Sequence, residues 1–170
     1  MAILDIVTYP ADILRRPAAP VEEAGAAEIQ KLIDEMAETM YVHQGVGLAA
    51  VQVDADSRVI TYDLSEERDR SKLHVLMNPE ILSAEGEYIS EKEGCLSLPD
   101  FRADIKRAAV VEVTARDREG HTVTFTAENM EAVVLQHEID HLNGILLLDR
   151  VSRLKRELYK KKVQKHSKAS

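Results

Sequence analysis

The residues whose types and spacing are best suited to chemistry are His137-Glu138-Ile139-Asp140-His141. They lie in a stretch of helical hydrophobic period. Four helical residues advance about 400°, so His137 and His141 share one face about 6 Å apart along the axis. Two imidazoles so placed can grip one metal ion, and Glu138 borders the same face, where a carboxylate suits a general base acting on water. A catalytic site of this kind needs a third protein ligand and one open position. Leu147 stands where the longer HExxHxxGxxH pattern has its third histidine. Glu157, the downstream carboxylate candidate, lies within the basic run Arg153–Lys162. The remaining soft ligand is Cys95, in Glu93-Gly94-Cys95-Leu96-Ser97-Leu98-Pro99. The flanking glycine and proline suggest a constrained, irregular strand that could aim a thiolate inward. The bland alternatives are a chance pair of histidines and an inert core cysteine.

The elements that must position these groups can be read around them. The chain has 170 residues, 45% hydrophobic and 31% charged, which suits one soluble domain with a real core. Pro10, Pro17 and Pro20 make residues 3–21 an irregular arm. Ile29, Leu32, Ile33, Met36 and Met40 predict a helix over Ala24–Val42. Gln44–Val53 is glycine-punctuated and apolar, a backbone that must approach something closely. Strands are expected at Arg58–Asp63, Leu73–Asn78 and Glu80–Ser83, and at Val110–Arg116 paired with Thr122–Thr126 about the turn Asp117–Gly120. A helix follows over Glu128–His141, stopping near Asn143-Gly144, and a terminal one over Asp149–Lys165. The fold class is α+β: small mixed or antiparallel sheets around a central HExxH helix, with an N-terminal helix and a C-terminal basic helix. Residues 1–149 read as the catalytic domain and 150–170 as a basic helix of the same domain.

Three segments stand together: Gly45–Gln52 (GVGLAAVQ), Glu93–Pro99 (EGCLSLP) and Gln136–Gly144 (QHEIDHLNG). In order and spacing they resemble the three motifs of the peptide deformylase family, and the likeness extends from Ile6-Val7-Thr8-Tyr9-Pro10 to Asp149-Arg150. Val51 stands where the family often has proline. The resemblance implies hydrolysis of the N-formyl group from formyl-methionine at the head of nascent polypeptides, with release of formate. It implies one divalent metal held by Cys95, His137 and His141 with water as fourth ligand, and Glu138 as general base. Fe2+ is the metal the resemblance favours in cells, with Zn2+, Ni2+ or Co2+ able to substitute. By motif position, the Gln52 amide and the Leu96 N–H complete the oxyanion site. Gly45 and Gly47 let the peptide backbone lie close, Val46, Val133 and Val134 line the methionine pocket, and Arg102 meets the peptide further on. Glu93 and Arg107 pair beneath the site. His43, His74, His121 and His166 have no partner spacing and read as structural or solvated.

The net charge of −8 argues against nucleic acid or an anionic membrane as a general partner. It conceals a division. Residues 150–170 hold nine basic residues and one acidic, whereas residues 1–149 hold 13 basic and 29 acidic. A solvated helix face is one reading of the tail; contact with RNA is the other, and the resemblance makes the ribosome near the exit tunnel the natural partner. On that reading, trimming the chain after Arg150 would weaken ribosome binding and spare hydrolysis. No signal peptide or membrane span is expected, and with one cysteine no internal disulfide is possible. The expectation is a cytoplasmic monomer. Two other functions share parts of the pattern: a zinc endopeptidase, and a non-enzymatic RNA-binding domain with a structural metal.

Overall fold

The computed structural model describes residues 2–169, with side chains for residues 2–166. After the arm, α1 (Ala27–Val42) forms three residues later than its hydrophobic period suggests, once Gly25 is passed. It turns Ile33, Met36 and Met40 onto Leu48, Val59 and Met77 in one part of the core. Each such side chain, fully buried, stabilises the fold by roughly 1.5–3 kcal/mol. The chain leaves α1 sharply at Gln44, whose φ is +56°. It then enters the short strand β1 (Gly47–Ala49) and a 3-10 turn over Ala50–Val53.

β2 (Val59–Tyr62) pairs with β1 and with β3 (His74–Glu85). The two short strands expected between Leu73 and Ser83 are therefore one. Asn78 adopts φ +51°, and the pairing of β3 shifts register between Met77 and Glu80, so a bulge interrupts the alternation without ending the strand. β4 (Tyr88–Cys95) and β5 (Leu98–Arg107) form a separate two-stranded sheet. Sequence reading anticipates only an irregular strand around Cys95 here. The five-stranded sheet is completed by β6 (Val110–Arg116) and β7 (Thr122–Glu128), in the order β1-β2-β3-β6-β7, and every pairing in both sheets is antiparallel.

α2 (Asn129–Leu142) is buried on most of its circumference. Ala132, Val134, Leu135, Ile139 and Leu142 pack on Ile60, Val111, Val113 and Ala115 of the large sheet. It ends just before Asn143-Gly144, as the stop signal predicts. The terminal helix begins later than expected: a 3-10 turn at Leu147–Arg150 precedes α3 (Arg153–Ala169).

Although strongly basic, α3 is not simply appended. Tyr159 is buried against Phe101, with ring centroids 5.1 Å apart and edge-to-face, and its O–H donates to the Pro99 carbonyl at 3.0 Å. Removing everything after Arg150 would strip this contact from β5, so the trimming experiment confounds charge with packing. Tyr159→Ala is expected to cost about 3 kcal/mol in urea unfolding, the usual result of deleting a buried aromatic ring.

Candidate metal centre and active site

α2 and the end of β4 bring the three candidate ligands together. One ligand atom each from Cys95, His137 and His141 lie within 4.8 Å of one another, and Cys95 Sγ is 3.3 Å from His141 Nε2. A tetrahedral centre with metal–sulfur and metal–nitrogen bonds near 2.3 and 2.0–2.1 Å has a sulfur–nitrogen edge of about 3.5 Å. The donor set and its spacing therefore fit one divalent cation. The two imidazole centroids are 5.0 Å apart, as the i, i+4 spacing requires. Burial disfavours charge on both rings. At His137 the neighbouring Glu138 carboxylate and hydrogen bonds with Cys95 and Glu93 outweigh it, holding the pKa above the ordinary value. At His141 burial and the charge on His137 act together and lower it.

His137 is oriented from behind. Its Nδ1 lies 2.7 Å from Glu93 Oε1 on β4, which leaves Nε2 to face the cluster. Glu93 in turn accepts from Arg107 Nη2 at 2.5 Å and Nε at 3.3 Å. Arg107, 5% exposed at the end of β5, also donates to Asp140 Oδ2 at 3.1 Å, and Asp140 accepts from Arg150 at 2.9 Å. The pairing of Glu93 with Arg107 is as the family resemblance implies; the extension through Asp140 to Arg150 had no sequence signal. Burial alone would push the Glu93 carboxyl up, but His137 and Arg107 outweigh it and hold it at about 2. Its contribution to stability is thus present above its ordinary pKa near 4.5 and is lost as pH falls toward 2. Glu93→Gln should be less stable than the parent at pH 7. Urea unfolding of both proteins should show the gap narrowing from pH 5 to pH 3.

Glu138 is 4% exposed, and burial is the main reason its pKa is pushed up to about 7. Its Oε1 has no hydrogen-bond partner among the described residues. The carboxylate lies directly beneath Gly47, where an added Cβ would stand 2.6 Å from Oε2. The glycine of the first motif is thus required by close approach rather than by a special φ.

Gln52, in the 3-10 turn after β1, is fixed by both ends of its amide. Oε1 accepts the Ala49 N–H at 3.0 Å, and Nε2 donates to Ser97 Oγ at 3.1 Å and points at Cys95 Sγ, 3.5 Å away. The bland role, satisfying backbone beside a strand, and the aim into the site therefore coexist. The serine of the second motif was not read as a site residue, yet it holds this amide. Leu96 lies in the turn between β4 and β5, its side chain against Gly45.

These groups open onto a cavity of about 480 Å³. Gly45, Val46, Gly47, Gln52, Cys95, Leu96, Arg102, Val133, Val134, His137 and Glu138 all line it; His141 stands behind Cys95. Val133 and Val134 are almost fully buried, whereas Val46 is half exposed. Met130 joins them on the wall, a position the sequence reading passed over. The Arg102 guanidinium covers Gly94, occupying the space a side chain there would need. The other histidines lie outside the cluster. His74 stacks on Tyr62, His121 neighbours Asp117 at 3.6 Å, His166 is exposed on α3, and His43 follows α1 at the cavity rim.

The sequence profile of the polypeptide deformylase family matches residues 3–157. The peptide deformylase of Desulfosudis oleivorans is 59% identical over 168 residues, covering 99% of this chain and 96% of that protein. The crystal structure of a peptide deformylase from Legionella pneumophila superposes with a TM-score of 0.90 at 42% identity, covering 99% and 97% of the two chains. A class I type b peptide deformylase from Acinetobacter baumannii, solved with Met-Ala-Ser bound, gives 0.82 at 35% identity, covering 88% and 99%. With both the profile and these relatives covered almost end to end, the chain belongs to the peptide deformylase family, hydrolases of formylmethionyl peptides.

Proposed function

We propose that the cavity takes the formyl-methionyl end of a nascent polypeptide and hydrolyses its formamide, releasing formate. The carrying observation is Glu138: a buried carboxylate with one oxygen unpartnered, next to the candidate ligand His137 and lining the same cavity as Gln52. A divalent cation held by Cys95, His137 and His141 would supply Lewis-acid polarisation of the formyl carbonyl and acidify water. Fe2+ is the proposed native ion, and the same donors accept Zn2+, Ni2+ or Co2+. Glu138 Oε1 takes the proton from the attacking water and returns it to the amine nitrogen as the C–N bond breaks. Gln52 Nε2 and the Leu96 N–H donate to the carbonyl oxygen as charge grows on it. Gly45 and Gly47 let the peptide backbone lie against the enzyme as a short strand. Val46, Val133 and Val134, with Met130, surround the methionine side chain, and Arg102 meets the residues that follow.

The A. baumannii relative solved with Met-Ala-Ser supports this substrate class. The decisive experiment incubates protein prepared without oxygen with formyl-Met-Ala-Ser and, separately, with an unfolded protein. Formate release with one equivalent of metal is expected; cleavage of internal peptide bonds would overturn the reading in favour of an endopeptidase.

We further propose a cytoplasmic monomer in which residues 1–149 carry the catalysis and the basic segment 150–170, which contains α3, docks on ribosomal RNA. No helix among the described residues is long and apolar enough to cross a membrane. Lys161, Lys162 and Lys165 are exposed, so reversing their charge tests docking while the Tyr159 ring that packs the helix stays in place. Unchanged ribosome affinity in the triple Glu variant would remove this partner.

A further inference from the structure

The strip Gly45–Val46 lines the cavity but lies outside the sheet ladder, since β1 pairs with β2 only from Gly47 onward. The Gly45 N–H is held by the Met40 carbonyl of α1 at 2.9 Å, whereas the two carbonyls of the strip are held from a segment that belongs to none of the three motifs. Residues 63–73 connect β2 to β3, and two arginines in it adopt left-handed backbone, Arg68 at φ +52° and Arg70 at +75°. Side chains with a Cβ rarely adopt this conformation, and its appearance beside a site invites a functional account. The Arg68 fork donates from Nη2 to the Gly45 carbonyl at 2.5 Å and from Nη1 to the Asp63 carbonyl at 2.8 Å. Its guanidinium lies over the Tyr41 ring, 5.0 Å from the centroid, and Arg70 lies over the same ring at 5.3 Å. Tyr41 O–H donates to Asp63 Oδ2 at 2.6 Å, and the Asp63 N–H donates to the Val46 carbonyl at 2.9 Å. Arg68 thus joins the end of α1, the residue after β2 and the strip into one unit. Arg70 shares the ring and pairs with Glu38 but reaches no carbonyl of the strip.

We propose that Arg68 is a positioning residue for substrate: its bond to the Gly45 carbonyl fixes the strip along which the peptide backbone lies and from which Val46 meets the methionine side chain. The proposal rests on the deformylase reading of the cavity. A strip released from its tether weakens peptide binding in ground state and transition state alike, which raises KM and leaves kcat nearly untouched. Lysine cannot replace the fork, because a single ammonium does not span two carbonyls while stacking on a ring.

The test compares Arg68→Ala, Arg68→Lys and Arg70→Ala with the parent, measuring KM and kcat for formyl-Met-Ala-Ser, metal content and melting temperature. The expected result is a KM raised about tenfold in Arg68→Ala with kcat within about threefold. Arg68→Lys should be only partly restored and Arg70→Ala should keep the parental KM. Millimolar methylguanidine should lower the KM of Arg68→Ala and leave that of the parent unchanged. Equal KM changes in the Arg68 and Arg70 variants would reduce the effect to loop packing and overturn the proposal. A lowered melting temperature with unchanged KM would do the same. Should Arg68→Ala fail to fold, the KM of Arg68→Lys decides alone, and a parental value there is fatal. Absence of turnover in the parent protein would sink the functional reading itself, whereas turnover with an unmoved KM in the variants sinks only the role of Arg68.

Discussion

Replacing Glu138 with alanine should lower turnover of a formyl-methionyl peptide by about 10³-fold, within the range lost when a positioned general base is removed, while the protein keeps its full metal content. Retention is expected because Glu138 is not one of the three grouped donors. Glu138→Gln should be as slow as Glu138→Ala, since an amide fills the same space but cannot take a proton. The pH profile supplies a second signature. Burial holds the Glu138 carboxyl at about 7, and only its ionised form accepts a proton, so kcat/KM should rise with pH along an acid limb. A cation bound beside it favours the ionised form and moves that limb below 7. Steady-state assays with metal analysis on the same samples check all three statements. Undiminished turnover in Glu138→Ala would refute the base assignment.

Gly47→Ala should be nearly as damaging, for a purely steric reason. The added methyl would meet Glu138 Oε2 at 2.6 Å and its Cγ and Cδ at 3.1 Å, and the carboxylate is too enclosed to step aside freely. Overpacking of this kind costs about 1–3 kcal/mol of stability. A displacement of about 1 Å at a reacting group costs on the order of 10²-fold in rate. The expected outcome is a folded, metal-loaded protein with kcat lowered about 100-fold, read from the same assay beside a urea melt. An intact kcat would mean that Glu138 tolerates displacement and is not held in a productive position by this glycine.

Much of the site was legible because its parts are local. The i, i+4 histidines need only a helix to converge. Gly47, Gln52 and Cys95 each sit in short motifs whose order along the chain resembles the family. Through-space supports were not legible. Nothing in the spacing of Ser97 ties it to Gln52, and nothing in the charged run containing Arg68 ties it to Gly45. β5 was hidden for a related reason. Its buried positions Phe101, Ala103 and Ile105 alternate properly, but the next buried position is Arg107, a charge where the strand pattern calls for an apolar residue. β4 is masked by Glu91, Lys92 and Glu93, with Lys92 at φ +50° breaking the alternation. The three helices stand where their hydrophobic periods place them, α2 starting within one residue of its expected position and α1 and α3 three and four residues later than theirs.

The buried guanidinium of Arg107 has a consequence for how sequences of this kind can drift. Two carboxylates, Glu93 and Asp140, depend on it for neutralisation beneath the cluster. Losing the arginine alone leaves Glu93 with only the His137 ring and Asp140 with only the more exposed Arg150; breaking a buried pair typically costs about 3–5 kcal/mol, whereas exchanging a whole charged group for well-packed apolar residues is often neutral. A lineage could abandon this arrangement in one concerted replacement but not by single steps through folded intermediates. Arg107, Glu93 and Asp140 would therefore be inherited as a block, with Glu93 held in place twice over because it also orients His137.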